Sequence, residues 1–230
     1  MNKAKPVYLL AGGSGSSNRG IFKEVFKEIS RPNPLIAYVG AANKDDKRFF
    51  RFMGDEIIKA GTCTLTHALI VPPRADMDKA RDILQRADAV FMSGGDVEAG
   101  MRILESKNIL SLFRTLYQEG KVFFGASAGS IMLAREWVRW DDPCDDSTAE
   151  LFPCLGMVPV ICDTHCEEDD WEELKAALQL KKDNDIGYGI PSGACLKVCP
   201  DGQLEAIGGA IAQYVKRGKK VIKMDDLLPV

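Results

Sequence analysis

The chain of 230 residues has only two histidines, His67 and His165, so chemistry that needs an imidazole has few candidates. It has no apolar run long enough to cross a bilayer, and no basic stripe for nucleic acid or a membrane surface. Near its start, Pro6 and a glycine cluster interrupt the apolar segment that a signal peptide would need. We therefore expect a cytoplasmic protein with no nucleic-acid partner and no membrane partner.

Cysteine is present, but its pattern does not predict a disulfide framework or a metal centre. The seven cysteines are an odd number and include no Cys-x-x-Cys pair, which is typical of buried reduced thiols in the cytosol. Cys162 and Cys166 flank Asp163 and His165, but a gap of three residues at a strand end gives poor geometry for one metal ion. The sequence predicts no metal and no cofactor.

A glycine-rich segment, residues 11–20, follows the first predicted strand and invites comparison with a dinucleotide-binding turn. Gly13 and Gly15 are present, but Asn18 stands where a third glycine would complete Gly-x-Gly-x-x-Gly. No acid that could bind a ribose ends the next strand. A loop at the carboxyl end of a strand is the plainer interpretation.

Strands alternate with helices through most of the chain, which predicts a doubly wound α/β fold around a mainly parallel sheet. The predicted strands are Val7–Leu10, Leu35–Val39, His67–Val71, Ala89–Met92, Val122–Phe124 and Val158–Cys162. The predicted helices are Ile21–Ile29, Phe49–Ala60, Asp76–Arg86, Val97–Leu104, Leu110–Gln118 and Glu167–Leu180. Residues 137–146 are predicted as a loop, and residues 193–224 as a C-terminal β meander. Since no linker interrupts the pattern, we expect a single domain over residues 1–230.

One stretch carries the strongest signal for chemistry. After the strand Val122–Phe124 come Gly125, Ser127 and Gly129 in the spacing Gly-x-Ser-x-Gly, followed by a predicted helix. A strand, a tight turn and a helix with a serine at the apex form a nucleophile elbow, and small residues on either side prevent collisions. The alternative is an ordinary Gly/Ser-rich turn. The context favours Ser127 as a nucleophile, with the N–H of Ala128 beside a developing oxyanion.

The other parts of such a site can be sought at the same edge of the sheet. His165 follows a predicted strand at its carboxyl end, so we predict it to be the general base for Ser127. His67 is predicted to open a strand at the opposite, amino-terminal edge, which favours a structural role. A glycine loop after the fourth strand could supply a second oxyanion donor from Gly95. Asp96 would then cap the following helix.

Together these motifs resemble the serine peptidases related to dipeptidase E and cyanophycinase, peptidase family S51, whose fold is like that of class I glutamine amidotransferases. The resemblance rests on three segments in the same order and at similar spacing: Gly94–Asp96, Gly125–Ser130 and Asp163–His165. It implies Ser127 as nucleophile, His165 as base, and the N–H groups of Gly95 and Ala128 as oxyanion donors. Amidotransferases have cysteine at the elbow, so the serine argues against a glutaminase.

The chain departs from this family at the acid that orients the histidine. The corresponding late segment, Gly187–Ser192, contains no carboxylate, and Ser192 stands at the matching position. Residues that could replace the acid or contact substrate are Asp96, Asp141, Asp142, Asp163 and Glu167. Relatives that cleave after aspartate place an arginine soon after the histidine, whereas residues 167–170 are all acidic here. We therefore expect a neutral or basic residue before the scissile bond.

The sequence thus predicts an intracellular serine hydrolase that cleaves a small peptide or a related amide through Ser127 and His165. Two alternatives remain open. A catalytically weak relative that binds a small ligand would explain the missing acid, and an esterase would use the same elbow. The expected partner is a small peptide or amide substrate, and a homodimer is left open.

Overall fold

The computed structural model describes residues 4–12, 16–142 and 145–230, and all structural statements below concern these residues. Gly13 and Gly15 of the glycine-rich segment, and Pro143 of the predicted loop, lie outside them. The strands are β1 (Val7–Leu10), β2 (Leu35–Val39), β3 (Thr64–His67), β4 (Ala89–Met92), β5 (Val122–Ala126), β6 (Glu136–Trp140), β7 (Ala149–Pro153), β8 (Ile161–Thr164), β9 (Ile186–Ile190), β10 (Cys195–Val198), β11 (Leu204–Ile207), β12 (Ala212–Arg217) and β13 (Lys220–Lys223). The helices are α1 (Ser16–Lys27), α2 (Lys47–Ala60), α3 (Met77–Arg86), α4 (Val97–Ser106), α5 (Leu110–Gln118), α6 (Ala128–Leu133) and α7 (Glu172–Gln179).

The larger sheet organises the fold, and its strand order within the described residues is β11-β10-β1-β5-β4-β2-β3. Strands β1 to β5 run parallel to one another, whereas β10 and β11 extend one edge in antiparallel pairing. Helices α1 and α2 pack on one face, and α3 to α6 pack on the other. This arrangement confirms the predicted doubly wound, mainly parallel α/β fold.

The central strands are buried on both faces, which explains their continuous apolar sequences. Every residue of β1, β4 and β5 is buried. On one face, Phe22 of α1 packs edge-on against Phe91 of β4 and Phe124 of β5, with ring centroids 6.4 and 6.1 Å apart. The sheet that carries the elbow is therefore held rigidly between two helical layers.

A smaller sheet, of order β13-β12-β9-β8, lies beside the elbow, and α7 packs on it. The predicted C-terminal strands are present as two antiparallel hairpins, β10–β11 in the larger sheet and β12–β13 in the smaller one. Helix α6 contacts both β5 and β8. The segment that follows β8 is thereby brought next to the segment that follows β5.

The predicted loop over residues 137–146 is wrong in its first part, where the chain forms strand β6. This strand pairs with β7 as an antiparallel hairpin, in which Trp137 faces Phe152 in register. Aromatic and β-branched residues such as Trp137, Val138 and Trp140 favour a strand. Val138 is fully buried and packs in the cluster that surrounds α7. The hairpin thus covers the helix that follows the candidate base.

Two predicted boundaries near His165 are also corrected. Strand β8 begins at Ile161 rather than at Val158, because Pro159 has no N–H to donate to a ladder. The helix predicted from Glu167 begins at Glu172, since Asp170 and Trp171 have φ of 54° and 61°, outside the helical region. The acidic residues 167–170 therefore form a turn.

Strand β3 ends at His67, so the prediction that His67 opens a strand at the amino-terminal edge is wrong. The N–H groups of Ile70 and Val71 both donate to the carboxylate of Asp45 at 2.7 Å. Because these N–H groups are used by a side chain, they cannot continue the ladder. His67 consequently lies at the carboxyl edge of the sheet.

Candidate active site

Ser127 occupies the apex between β5, which ends at Ala126, and α6, which begins at Ala128. Its backbone has φ 54° and ψ −128°, a conformation that is unfavourable for a residue with a side chain and is often found at functional sites. Its N–H donates to the carbonyl of Leu10 at 3.0 Å, which ties the apex to β1. Its hydroxyl oxygen lies 2.7 Å from Nε2 of His165.

Steric contacts require glycine at both positions around Ser127. A Cβ atom on Gly125 would lie 2.5 Å from the carbonyl carbon of Gly129. A Cβ atom on Gly129 would lie 2.1 Å from the carbonyl oxygen of Met92, at the end of β4. The Gly-x-Ser-x-Gly spacing therefore lets α6 turn back closely against the sheet.

His165 follows β8 directly and is fixed through its backbone. Its N–H donates to the carbonyl of Ile190, the last residue of β9, at 2.9 Å. Its φ of 49° turns the chain sharply away from the strand. The exposed imidazole is left above the sheet edge, where its Nε2 reaches Ser127.

The residues predicted as oxyanion donors lie on the same cavity as Ser127. Ala128 is the first residue of α6, where an N–H has no acceptor within the helix. The neighbouring N–H of Asp96 is already used, since it donates to the carbonyl of Ala42 at 2.8 Å. Across the described residues, no backbone carbonyl accepts from the N–H of Gly95 or of Ala128.

Asn43 fixes the peptide between Gly94 and Gly95, and sequence analysis did not single it out. Its Nδ2 donates to the Gly94 carbonyl at 3.1 Å and to the Ser93 hydroxyl at 2.6 Å. Because the C=O and N–H of a trans peptide point in opposite directions, this contact turns the N–H of Gly95 away from Asn43. Gly95 has φ +143°, and its Cβ would lie 2.1 Å from the Ala42 carbonyl, so glycine is required.

A cavity of about 340 Å³ opens beside Ser127. Its walls are Gly95, Asp96, Val97, Ser127, Ala128, Ile131, Trp137, Asp163, Thr164, His165, Cys166 and Glu173. Trp137 and Glu173 were not among the predicted site residues. Trp137 was assigned to a loop, and Glu173 was one of seven consecutive acidic or aromatic residues with no feature to distinguish it.

Asp163 lies in the wall of this cavity and is almost entirely buried. Its Oδ1 accepts from the N–H of Thr164 at 2.7 Å and from the thiol of Cys166 at 3.7 Å. Burial raises the pKa of Asp163 to about 7, and nearby Glu173 and Asp169 add to that effect. Asp163 therefore holds a proton more readily than an exposed carboxyl does.

Glu173 and Glu167 both interact electrostatically with His165, and their pKa values shift in opposite directions. Burial raises the pKa of Glu173, although the indole N–H of Trp137 donates to its Oε2 at 2.8 Å. Burial also acts on Glu167, but hydrogen bonds from its own N–H and from Ser192, with the charge of His165, lower its pKa overall. The Ser192 N–H donates to Glu167 Oε1 at 3.1 Å. Glu167 is thus the carboxylate held beside the segment where family members carry their acid.

The remaining predicted acids take other positions. Asp96 caps α4 by accepting from the Ala99 N–H at 2.7 Å, while it also lines the cavity. Asp141 and Asp142 follow β6, and neither is among the described residues that line the cavity. Across the described chain, no carboxylate makes a hydrogen bond to Nδ1 of His165, and no group of three His, Cys, Asp or Glu side chains could hold a metal ion.

His67 lies outside the cavity, although it shares the carboxyl edge. Its Nε2 is 3.1 Å from Oδ1 of Asp45, and its ring stacks on Phe50 with centroids 4.5 Å apart. The first contact holds the loop that carries Asn43, and the second packs His67 against α2. The geometry therefore leaves His165 as the histidine that reaches Ser127.

The family model described as "Peptidase family S51" matches residues 8–206. The chain belongs to peptidase family S51. This family is one of serine-type peptidases, which agrees with the serine at the elbow. The predicted resemblance is confirmed over nearly the whole chain.

Several individual proteins are similar to this chain. Cyanophycinase of Synechococcus elongatus is 25% identical over 214 residues, which are 89% of this chain and 66% of that protein, so the chain spans just under two thirds of its length. Pyridoxal 5'-phosphate synthase subunit PdxT of Anoxybacillus flavithermus is 24% identical over 107 residues, 46% of this chain and 50% of that protein. The crystal structure of a peptidase from an acI-B1 actinobacterium shares the fold, with TM-score 0.72, 16% identity and coverage of 98% and 97% of the two chains.

Of the helices in the described ranges, none has the length and apolar character that a membrane span needs.

Proposed function

We propose that this chain is an intracellular serine hydrolase that cleaves a small peptide or a related amide through an acyl-enzyme. The observation that carries the proposal is the 2.7 Å contact between the Ser127 hydroxyl and Nε2 of His165, at the apex of a strained strand–helix turn. A serine hydroxyl is a weak nucleophile until an adjacent base takes its proton. The family and this contact together support peptide or amide hydrolysis.

In the proposed reaction, Oγ of Ser127 attacks the scissile carbonyl while Nε2 of His165 accepts the hydroxyl proton. The tetrahedral intermediate collapses when the C–N bond breaks and His165 returns that proton to the leaving amine. Water then attacks the ester on Ser127 while His165 takes a proton from it, and His165 returns that proton to Oγ of Ser127 as the acyl–Oγ bond breaks and the free acid leaves. Both half-reactions use the same short contact.

The oxyanion is proposed to bind between the N–H groups of Gly95 and Ala128. Both residues border the cavity, and Ala128 also stands at the positive end of α6. Asn43 supports this arrangement because it holds the Gly94 carbonyl on the opposite side of the peptide. The donors are therefore preorganised before substrate arrives.

Glu167 is proposed to orient His165. An orienting acid must be ionised to stabilise the imidazolium, and among the three nearby carboxyls the pKa is lowered only at Glu167, whereas burial raises it at Asp163 and Glu173. The Ser192 N–H holds the Glu167 carboxylate next to β9. In this arrangement Ser192 contributes its backbone where family members contribute a side chain.

The test compares kcat/KM on a panel of short peptides and on p-nitrophenyl esters for the parent, Ser127→Ala and Ser130→Ala. Ser130 is a matched control, because its buried hydroxyl donates to the Leu10 carbonyl at 2.7 Å and the residue is not part of the cavity lining. We expect Ser127→Ala to lose on the order of 10³-fold or more in turnover and Ser130→Ala to stay near the parent. Ester hydrolysis without peptide hydrolysis would identify an esterase. Unchanged peptide hydrolysis in Ser127→Ala would contradict the mechanism.

A further inference from the structure

Acidic side chains gather in the walls of the cavity beside Ser127. Asp96, Asp163 and Glu173 contribute carboxyl groups to its walls. Among the described residues that line it, none is a lysine or an arginine. The acidic residues Glu168 to Asp170, in contrast, are exposed and outside this lining, so they do not contribute to the cavity walls.

Asp163 has an oxygen that the described residues leave unsatisfied. The residue is only 2% exposed, and its Oδ2 is buried without a hydrogen-bond partner in the described structure. A buried acceptor without a hydrogen-bond partner is destabilising, and more so when it is charged. A positive group in the adjacent cavity would stabilise the ionised carboxylate.

Glu173 is the second acid, and its position is fixed by the indole of Trp137. The Trp137 N–H donates to Oε2 at 2.8 Å, while Oε1 accepts from no described residue. The same indole forms part of the cavity wall. A carboxylate beside an aromatic surface is a combination that binds ammonium and guanidinium groups, through charge and through cation–π attraction.

We propose that this cavity binds a cationic group, an ammonium or a guanidinium, on the substrate residue whose carbonyl Ser127 attacks. The proposal rests on the proposed function, since Ser127 defines which carbonyl is attacked. Glu173 contacts the cation directly, and Asp163 adds charge from beneath the wall. An aspartate side chain in the same place is disfavoured because like charges repel strongly where water is excluded.

The first test measures kcat/KM for arginine, citrulline and aspartate p-nitroanilides, each with a free and an acetylated amino group. Citrulline has nearly the shape of arginine without its charge. We expect arginine to exceed citrulline by about 10-fold, which corresponds to one charge-assisted hydrogen bond. The acetylated pair should keep this preference, because arginine and citrulline differ in the charge of the side chain and share the same amino group.

The variant Glu173→Gln should remove most of that arginine preference, because glutamine keeps an acceptor for the Trp137 N–H but carries no charge. Glu172→Gln is the matched control, since Glu172 is exposed and lies outside the cavity lining. It should keep the parent's ratio. Equal rates on arginine and citrulline, a preference for aspartate, or a ratio that Glu173→Gln leaves unchanged would overturn the proposal.

A binding measurement keeps the proposal testable without turnover. Calorimetry on Ser127→Ala should give tighter binding of arginine amide than of citrulline amide, by about 10-fold, with the difference shrinking at high salt. Equal affinities would overturn the cation site even if a fluorophosphonate labels Ser127 in the parent. Conversely, a clear difference with no hydrolysis by the parent would retain the cation site and reject the proposed hydrolysis.

Discussion

Ionisation separates the roles of the acidic residues around His165. Glu167 has a lowered pKa and is charged at neutral pH, which suits a residue that stabilises an imidazolium. Asp163 and Glu173 have raised pKa values because they are buried, which suits groups that become ionised when a cation arrives. Carboxyl groups with different ionisation thus suit the two proposed tasks, the orientation of His165 and the binding of a cation.

Replacing Glu167 tests its proposed role as a positioning residue. Glu167→Gln keeps an acceptor for the Ser192 N–H but removes the charge, so we expect kcat to fall by about 10-fold or more. The acidic limb of the pH–rate profile should move to lower pH, because the imidazolium loses a neighbouring negative charge. The control is Glu168→Gln, which changes an exposed residue of the same turn. Identical profiles for the two variants would remove Glu167 from the mechanism.

At the scale of elements, the elbow depends on close packing between α6 and the ends of β4 and β5. Gly129→Ala would put a Cβ 2.1 Å from the Met92 carbonyl, so we expect the free energy of unfolding to fall by about 1–3 kcal/mol. Gly20→Ala is the control, because a Cβ there meets no atom within 4 Å and α1 should gain about 0.5–1 kcal/mol. Urea unfolding measures both changes. A Gly129→Ala variant as stable as the parent would contradict the tight turn.

Sequence predicted the elements whose signals are local. The elbow was predicted because Gly125, Ser127 and Gly129 are close in the chain, and His165 was placed after a strand. Asn43 and Glu173 could not be found in this way, since their roles depend on contacts with distant segments. The hairpin that carries Trp137 was missed because the acidic residues after it resembled a loop. The backbone at Trp171, which delays α7, left no clear pattern in the sequence either.

At the scale of the whole molecule, the buried Asp163 makes stability depend on pH. The folded protein holds this proton up to about pH 7, whereas the unfolded chain releases it near 3.8. Because the folded state binds more protons between these values, the contribution of Asp163 to stability falls as pH rises from about 4 to about 7. Above about pH 7 the carboxyl is ionised in both the folded and the unfolded state, so its contribution to stability no longer changes with pH.

Asp163→Asn should remove this dependence. We expect the variant to be more stable than the parent at pH 8, on the order of a few kcal/mol, and close to it at pH 4. Asp55→Asn, at an exposed position on α2, is the control and should change little at either pH. Urea unfolding at both pH values measures the difference. A variant that is less stable than the parent at pH 8 would show that the ionised carboxylate has a partner in the folded state.

The most direct test of the central claim is to identify the residue that a fluorophosphonate modifies. The intact protein should gain one adduct, and peptide mass spectrometry should locate it on Ser127. Ser130→Ala should label like the parent, whereas Ser127→Ala should not label. An adduct on another residue, or labelling that survives in Ser127→Ala, would contradict the claim that Ser127, activated by His165, is the nucleophile.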